Sequence, residues 1–574
     1  MVRSSTLFPT RRPLRKHDFS CLLSAGLVAL SLLVACPCRS EESQHILDFA
    51  GTPSDHLVQF LVPGSDFLSI HGLTFDREDR LYVSSVMGQG IYRVDIRTGA
   101  AETFVGPPEG LADDLEFGPD GSLVWTSILT GEVYIRAPDG QVRVLADKLP
   151  GVNSVAFRDD GRLFVTQVLW GDALWELDPA GVRAPRQVIS GMGGLNGFDF
   201  DHAGRLYGPL IYKGVVVRVD VDTGTMETLA EGFGLPTAVN FDSRGQLYVT
   251  DSKLGRVVRI DPDTREQTLV ATVDTAIDNL ALDSRDRLFI TNMVDNAIQE
   301  VHTRTGAVRT LNSSQLSVPG GLDVVTEDGR EQVYLGDLFA FRKVDGERGV
   351  VTTIKRGIRD HMQWPMAVNI HGQRIVTASW FVDAVEVFDR GSEQSLAVYQ
   401  DLDDPVDAVM LPGGAVLVAE QGKGRLLRIS GPPPGVRTVV ADGLAGVAAL
   451  RVDAEGRVYA TDVLAGTLLQ LDLERGASRV VVDGLEHPEG FDFAPDGSIV
   501  LAEVGRRRLV RIDPASGTVR EVVRNLALGY PGARGAPPGY IQTGVGVGDS
   551  GTIYVSSDQV TGLYRIEPQE RPAP

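Results

Sequence analysis

The sequence predicts an all-β protein made of two tandem six-bladed β-propellers, with twelve four-stranded blades of about 41 residues each. Three observations predict this fold. A phrase of short apolar runs and turn residues recurs along nearly the whole chain, its spacing is close to constant, and no helical pattern interrupts it. Twelve units exceed the roughly four to eight blades of a single ring, so two rings of six are the simplest arrangement.

The repeat is clearest over residues 235–262, and related phrases occur at 194–220 and 487–513. The apolar residue that closes the first strand of each unit serves as an anchor, and successive anchors are mostly 40 to 43 residues apart. These anchors are Phe75, Phe117, Phe157, Phe200, Phe241, Leu282, Val324, Ile370, Leu411, Val452, Phe493 and Val547. Asp-x-x-Gly turns such as 242–245 are expected to join the first two strands of a unit.

The order of the strands predicts how each ring closes. Every unit shows a fourth strand except the last, while an additional strand at 56–62 precedes the first unit. We expect this additional strand to close the first ring beside the blade at 280–298, and the strand at 308–311 to close the second ring with the final blade. The predicted domains are therefore a first propeller at 46–312 and a second at 313–570.

Residues 1–38 have the pattern of a signal peptide. Basic residues precede an apolar stretch at 21–35, and 33–36 resembles the bacterial lipobox, in which Cys36 becomes lipidated. The alternatives are an ordinary signal peptide or an uncleaved anchor. We expect an exported lipoprotein, periplasmic or at the cell surface, that touches the membrane only through its N-terminal lipid.

Composition excludes several classes of function. All three cysteines (Cys21, Cys36 and Cys38) lie in this N-terminal segment, so the folded part has no disulfide or thiolate site. The formal net charge is −21; removal of the segment before Cys36 takes away five basic residues and Asp18, which leaves −25. Such an acidic surface disfavours nucleic acid as a partner, whereas cations, small neutral molecules or a protein partner remain possible.

The central channel of a propeller is the place where its inner strands converge. Counting four residues back from each anchor gives a polar residue in all six units of the first ring: His71, Asp113, Asn153, Asn196, Thr237 and Asp278. Carboxylates and amides that converge on an axis suit a divalent cation of calcium's kind. The alternative is a water-filled polar channel without a metal.

The same count in the second ring gives Gly320, Met366, Asp407, Ala448, Glu489 and Thr543, a more apolar set that predicts a packed plug. Two long connections, 357–364 and 529–539, have the length of loops that cover a binding face. His361, Trp364 and Trp380 are candidates to line a pocket there. The sequence contains no zinc-protease, nucleophile-elbow, phosphate-loop or dinucleotide-binding motif.

The units resemble the superfamily of regucalcin (senescence marker protein), gluconolactonases and luciferin-regenerating enzyme, with NHL-repeat-like blades. The phrases at 195–207, 235–251 and 488–503 carry this resemblance. It implies a divalent metal on the axis, usually calcium, that polarises a lactone or ester for hydrolysis. On this reading Asn153 and Asn196 match the amide ligands of the middle blades.

The positions at which the family has its glutamate and its aspartate hold His71 and Thr237 here. Asp113, Asp278 or Asp251 would then have to compensate. The predicted metal ligands are Asn153, Asn196, Asp113 and Asp278, and the predicted catalytic residues are Asp113, Asp278 and His71. Two main functions stay open, a metal-dependent hydrolase of lactones or small esters and a non-catalytic double propeller that binds a ligand or protein. A lyase or synthase of the same architecture is a third.

Overall fold

The computed structural model describes residues 56–539 and 541–568. These residues form 48 β-strands and two short 3-10 turns, Gln421–Lys423 and Val504–Arg506. The predicted signal segment, including Cys36, lies outside the described residues. Within them, no helix has the length and apolar character needed to cross a membrane.

The strands form twelve four-stranded antiparallel sheets, which confirms the predicted all-β fold of propeller blades. Six consecutive sheets make up the first half of the fold. Their strands are β2 (Leu73–Phe75), β3 (Leu81–Ser85), β4 (Gly90–Val94) and β5 (Ala101–Val105); β6 (Leu115–Phe117), β7 (Leu123–Ser127), β8 (Glu132–Arg136) and β9 (Val142–Ala146); β10 (Val152–Phe157), β11 (Leu163–Gln167), β12 (Ala173–Leu177) and β13 (Arg186–Ser190); β14 (Asp199–Phe200), β15 (Leu206–Leu210), β16 (Val215–Asp220) and β17 (Thr225–Glu231); β18 (Pro236–Phe241), β19 (Leu247–Asp251), β20 (Arg256–Ile260) and β21 (Gln267–Thr272); and β22 (Ile277–Leu282), β23 (Leu288–Asn292), β24 (Ala297–Val301) and β25 (Val308–Asn312).

Six further sheets make up the second half. Their strands are β26 (Leu322–Glu327), β27 (Arg330–Asp337), β28 (Ala340–Asp345) and β29 (Val351–Arg356); β30 (Ala367–His371), β31 (Arg374–Ser379), β32 (Ala384–Asp389) and β33 (Ser395–Tyr399); β34 (Pro405–Met410), β35 (Val416–Glu420), β36 (Arg425–Ser430) and β37 (Val436–Asp442); β38 (Val447–Val452), β39 (Val458–Asp462), β40 (Thr467–Asp472) and β41 (Ala477–Val482); β42 (Pro488–Phe493), β43 (Ile499–Glu503), β44 (Arg508–Ile512) and β45 (Val519–Arg524); and β46 (Val545–Val547), β47 (Ile553–Ser556), β48 (Leu563–Pro568) and β1 (His56–Val62).

The first strands of the sheets contact one another in two closed cycles of six. One cycle runs β2, β6, β10, β14, β18, β22 and back to β2, and the other runs β26, β30, β34, β38, β42, β46 and back to β26. We call these cycles the first and second rings. Within every blade the first strand lies innermost, so the start of this strand faces the axis of its ring.

The predicted closure of the rings is wrong. β1 pairs with β48 of the last blade, with Val58 opposite Ile566, although it was counted in the predicted range 46–312. β25, which covers the strand expected to close the second ring, instead completes its own blade beside β24. The physical reason is that a short turn at 302–307 makes the β24–β25 hairpin a local pairing, whereas β48 is the edge that no later strand covers.

Local turns follow the sequence prediction. In the turn after β18, Oδ1 of Asp242 accepts hydrogen bonds from the backbone N–H groups of Arg244 (3.0 Å) and Gln246 (2.9 Å). Gly245 adopts a φ of +78°, in the left-handed region that favours glycine. This pair of features explains why Asp-x-x-Gly recurs between the first two strands of many blades.

The core lies mainly between neighbouring blades. Tyr459 of β39, for example, packs against Phe491 and Leu501 of the next blade, and all three are buried. Each fully buried side chain of this size contributes about 1.5–3 kcal/mol to folding. Another apolar cluster continues from the first ring, through Met87 and Met293, to residues of the second ring such as Trp380. The two rings therefore share a packed interface.

The loop at 529–539 adds polar contacts to this interface. The Tyr530 hydroxyl donates to the carbonyl of Gly88, and Nε2 of Gln89 donates to the carbonyl of Pro531 at 2.6 Å. Arg534 forms an ion pair with Glu132 of the first ring. This long connection therefore fixes the second ring against the first.

Candidate functional site

The six axial residues predicted for the first ring lie together. They come from the start of the first strand in each blade and all line one cavity of about 100 Å³. These residues are His71, Asp113, Asn153, Asn196, Thr237 and Asp278. These six side chains thus form the polar floor of the cavity, at the mouth of the channel. They lie at the positions that the count from the anchors predicted.

The floor is charged on one side and neutral on the other. His71 comes from the first blade, between Asp278 of the sixth and Asp113 of the second. Nδ1 of His71 lies 3.1 Å from Oδ2 of Asp278 and 3.6 Å from Oδ1 of Asp113. Nε2 of His71 lies 3.3 Å from Oγ of Ser69, whose hydroxyl also contacts the carbonyl of Met293. The imidazole is therefore held at both nitrogens.

The amides of the middle blades form the neutral side. Ser154 Oγ lies 2.9 Å from Oδ1 of Asn153 and 3.0 Å from Oδ1 of Asn196. Nδ2 of Asn153 donates to Oδ2 of Asp113. Asn153 thereby links the neutral side of the floor to the charged side.

A second, much smaller chamber of about 10 Å³ lies deeper in the channel. This is about the space that one water molecule or one ion requires. All of its lining residues are polar: Asp113, Asp114, Asn153, Ser154, Asn196, Thr237, Asp278 and Asn279. Asp114, Ser154 and Asn279 were missed by the sequence analysis because it counted one position per blade, while the next position also faces the channel.

Buried carboxyl groups crowd this axis. Burial, with the nearby charges of Asp278 and Asp114, raises the pKa of Asp113 to about 8 against the opposing effect of His71. Burial likewise raises the pKa of Asp114 to about 7 and that of Glu116, one layer further down the channel, to about 8. Burial alone lowers the pKa of His71, but its hydrogen bond to Asp278 and the charges of Asp278 and Asp113 raise it above the ordinary value.

A buried arginine lies among the carboxylates on the axis of the second ring. Nη1 of Arg451, on β38, donates to the side-chain oxygen of Asn369 and lies 3.7 Å from Oδ2 of Asp407. Nη2 of Arg451 donates to the carbonyl of Leu322 at 2.8 Å. The buried guanidinium of Arg451 thus balances the negative charge of the carboxylates on this axis. It is part of the packed plug that the sequence predicted.

Asp407 does not occupy the same layer as Glu489. β34 ends at Met410, which pairs with Val416 as Val452 pairs with Val458 in the next blade. The anchor of this unit is therefore Met410 rather than Leu411, and Asp407 lies one residue deeper than predicted.

The donors of the first axis fit a divalent cation by their chemistry. Asp113, Asp278, Asn153 and Asn196 offer carboxylate and amide oxygens, the ligands that calcium prefers. No lysine or arginine lines either cavity in the described part of the chain. Across residues 56–539 and 541–568, no group of three or more His, Cys, Asp or Glu side chains is spaced to hold a metal, so a cation here must also take amide or water oxygens.

The walls above the floor are apolar. Most of the first-ring wall comes from the residues that follow the second strand in five of the six blades, at the turn to the third strand. These residues are Val86, Met87, Ile128, Val168, Leu169, Ile211 and Met293, with Leu235 from the approach to β18. The sequence signal that could have identified them is the apolar character of these turns, where polar residues are the rule.

The second ring completes the wall with Phe339, Ile358, Trp364 and Phe381. Of the three candidate pocket residues in this half, Trp364 lines the cavity. Trp380 is buried in the cluster between the rings, and His361 is exposed and does not line the cavity. The predicted covering loop at 357–364 therefore does cover a site, but the site belongs to the first ring.

No protein-family model and no curated protein matches the chain. Solved structures similar to it include a streptogramin B lyase, with 15% identity over 49% of this chain and 95% of that chain and a TM-score of 0.37. A gluconolactonase from Xanthomonas campestris has 17% identity over 43% of this chain and 90% of that chain, with a TM-score of 0.35. The extracellular domain of a protein described as a one component system from B. thetaiotaomicron has 11% identity over 90% of this chain and 84% of that chain, with a TM-score of 0.33. A gluconolactonase is thus among the similar structures, but likeness at this level carries no argument about the reaction.

Proposed function

We propose that the protein is a cation-dependent hydrolase of lactones or small esters, with its site on the axis of the first ring. The observation that carries this proposal is the contrast between the two axes. The second ring neutralises its buried carboxylates with Arg451, whereas the residues that line the first axis include Asp113 and Asp278 but no lysine or arginine. His71 lies between these two carboxylates and can balance one of them, and a bound cation would balance the other.

Asp113, Asp278, Asn153 and Asn196 would hold the cation. When bound, a cation of this kind polarises a carbonyl group and lowers the pKa of water. The chain's own residues bind and orient the substrate. The apolar wall takes the body of the molecule and excludes water, so that the carbonyl is directed to the polar floor.

His71 would carry the proton in this reaction. Although burial lowers its pKa, the hydrogen bond to Asp278 and the charges of Asp278 and Asp113 raise that pKa above the ordinary value, which favours the protonated form of the imidazole. Asp278 would hold the imidazole in one orientation through the contact to Nδ1 and stabilise its protonated form. Ser69 has no exposed surface and would position Nε2 rather than react.

The test begins with metal content. The full-length protein, purified without chelator, is expected to contain about one divalent cation per chain, which the Asn153→Ala/Asn196→Ala double variant and Asp113→Asn lose. Asp159→Asn, an exposed carboxylate in the same ring, serves as the control and should retain the ion. Hydrolysis of a panel of lactones and esters, followed by acid release, should then depend on that cation.

An ion-free protein that calcium, magnesium, manganese and zinc all fail to activate would refute the cation-dependent reaction. The second candidate function is non-catalytic binding. It is favoured because the amide oxygens of Asn153 and Asn196 both lie within hydrogen-bond distance of Ser154 Oγ, instead of converging on a cation. It predicts that a ligand binds in the cavity equally well with and without a cation and is released unchanged.

The proposed setting is outside the cytoplasm. It rests on the signal-type segment at 1–38, which stays a prediction from the sequence. Labelling of cells with a lipid precursor, compared between the native protein and Cys36→Ala, would test the lipid anchor directly.

A further inference from the structure

We propose that the second ring determines the substrate class of the first ring's site, by restricting it to lactones or esters that carry a flat aromatic group next to the ester bond. This inference rests on the proposed function. It adds a specificity determinant that the first ring does not contain, namely a roof made of Phe339, Trp364 and Phe381, three second-ring residues that line the same cavity.

The roof is a continuous row of aromatic rings. Phe339 lies in the turn between β27 and β28, Trp364 in the loop between β29 and β30, and Phe381 in the turn between β31 and β32. The ring centroids of Phe339 and Trp364 are 5.4 Å apart, and those of Trp364 and Phe381 are 5.5 Å apart. These distances are those of favourable aromatic pairs, so the three rings support one another.

The row also contacts the first ring at both ends. Phe339 meets the imidazole of His71 edge to face, with centroids 5.9 Å apart. At the other end, the ring centroids of Phe381 and Trp170 are 6.3 Å apart, and Trp170 belongs to the first ring. The row of rings therefore extends from His71, the proposed proton carrier, to Trp170.

The loop that bears Trp364 is clamped onto the first ring. Nη1 and Nη2 of Arg356, the last residue of β29, donate to the two carboxylate oxygens of Asp295 at 2.9 and 2.5 Å. Nη2 also donates to the carbonyl of Thr275 at 2.7 Å. The backbone N–H of Arg356 donates to Asp360 at 2.8 Å, which ties the start of the loop to its middle. A two-pronged guanidinium–carboxylate pair of this kind fixes geometry strongly.

Backbone strain in the loop points to the same role. Ile358 has a φ of +69° and Trp364 a φ of +40°, in a region that branched or bulky residues rarely adopt. Both residues line the cavity. Strained positions persist only where the surroundings enforce them, and they concentrate at ligand sites. The strain thus serves to present these two side chains to the cavity.

The chemistry of the walls selects the ligand. The aromatic rings of the roof and the aliphatic side chains of the walls accept a flat apolar group, whereas hydroxyl groups placed there would lose their hydrogen bonds to water without replacement. The floor contains carboxylates and the lining contains no lysine or arginine, so anionic substrates are disfavoured. A sugar lactone therefore fits this cavity poorly, and an aryl lactone fits it well.

The experiment compares 3,4-dihydrocoumarin, an aryl-fused lactone, with δ-valerolactone, its counterpart without the aromatic ring. Each kcat/KM is divided by the rate constant for uncatalysed hydrolysis of the same lactone, because dihydrocoumarin releases a phenol and is intrinsically the more reactive ester. For the full-length protein loaded with its cation, this normalised value is expected to be at least tenfold higher for dihydrocoumarin. Trp364→Ala should bring the ratio of the two normalised kcat/KM values close to one, mainly because the value for dihydrocoumarin falls. Trp175→Ala, which removes a tryptophan on β12 outside the cavity lining, should leave the ratio unchanged.

Binding is measured separately with 3,4-dihydroquinolin-2-one, the lactam analogue, by quenching of tryptophan fluorescence. The native protein should bind it and Trp364→Ala should bind it at least tenfold more weakly. Binding without hydrolysis of any lactone would refute the proposed reaction but not the role of the roof. Equal normalised kcat/KM values for the two lactones would refute the role of the roof but not the reaction. If Trp364→Ala does not fold, Phe381→Leu provides the same comparison.

Discussion

Nδ1 of His71 lies 3.1 Å from Oδ2 of Asp278, although the two residues are 207 positions apart in the sequence. The contact joins the first blade of the first ring to the sixth. It places an acid–base pair where the ring closes, on the floor of the cavity. The chemistry of the site therefore depends on a contact that exists only in the closed ring.

Loss of the Asp278 charge is expected to lower the pKa of His71, because burial then acts with less opposition. In Asp278→Asn, the ring-proton signals of His71 should titrate at lower pH than in the native protein. The midpoint of the rise of kcat/KM with pH should also move to lower pH. Asp159→Asn, beside the exposed His202, should leave the His71 titration in place.

Stability of the cation-free protein is expected to fall as pH rises. Asp113 has a pKa of about 8 in the folded protein against 3.8 ordinarily, so its protonated form favours folding and this contribution is lost between those values. Through Asp113 alone, the free energy of unfolding should drop by roughly 2–5 kcal/mol from pH 4 to pH 9. Urea denaturation of native protein and Asp113→Asn across this range measures the difference.

Calcium should reverse this trend, because it binds the ionised carboxylate and competes with the proton. Its stabilising effect in urea denaturation is expected to be larger at pH 8.5 than at pH 6. Equal stabilisation at both pH values would contradict a role for Asp113 as a ligand.

Removal of the guanidinium on the second axis is expected to be costly. Arg451→Met leaves the buried carboxylates of Asp407 and Asp492 without their cation, and such a loss destabilises proteins by about 3–5 kcal/mol. The effect on the free energy of unfolding should be smaller at pH 5 than at pH 8, since burial raises the pKa of Asp407 to about 6 and that of Asp492 to about 7. Arg428→Met, an exposed arginine on β36, should change stability by less than about 0.5 kcal/mol.

The pairing of β1 with β48 makes a prediction about the second ring. Val62 is fully buried at the end of β1, whereas the side chain of Leu57 is largely exposed. Val62→Asp should destabilise the last blade by about 3 kcal/mol or more, because it buries a charge. Hydrogen exchange should increase first in β46 to β48 and later, if at all, in the first ring. Leu57→Asp should leave exchange in the last blade unchanged.

The repeat in the sequence was sufficient to predict the blades and the axial residues. Each blade is a local meander, so its strands and turns follow from short-range patterns such as Asp242 to Gly245. The six axial residues were found because identical units place equivalent positions around one axis. Only the unit with Leu411 was misaligned, by one residue, since Met410 and Leu411 are both apolar and the pattern alone does not choose between them.

Other features could not be read from the repeat. The roof formed by Phe339, Trp364 and Phe381 depends on how two rings pack, which no periodicity within one ring encodes. Arg451 was missed because the count sampled only the mouth of the channel and the arginine lies deeper. The closure through β1 was predicted wrongly because the pattern identifies a strand without its partner, and the partner is decided by which sheet edge remains open.

The β1–β48 pairing makes the first ring an insertion within the second. From β1 in the last blade, the described part of the chain builds the whole first ring and then the second ring, which β48 completes beside β1. During synthesis the first ring can fold as soon as residue 312 has emerged, while the other must wait for the last strand. The cavity floor is thus complete before its aromatic roof is in place, so a chain that ends after residue 312 would keep the proposed acid–base residues and lack the aromatic groups proposed to select their substrate.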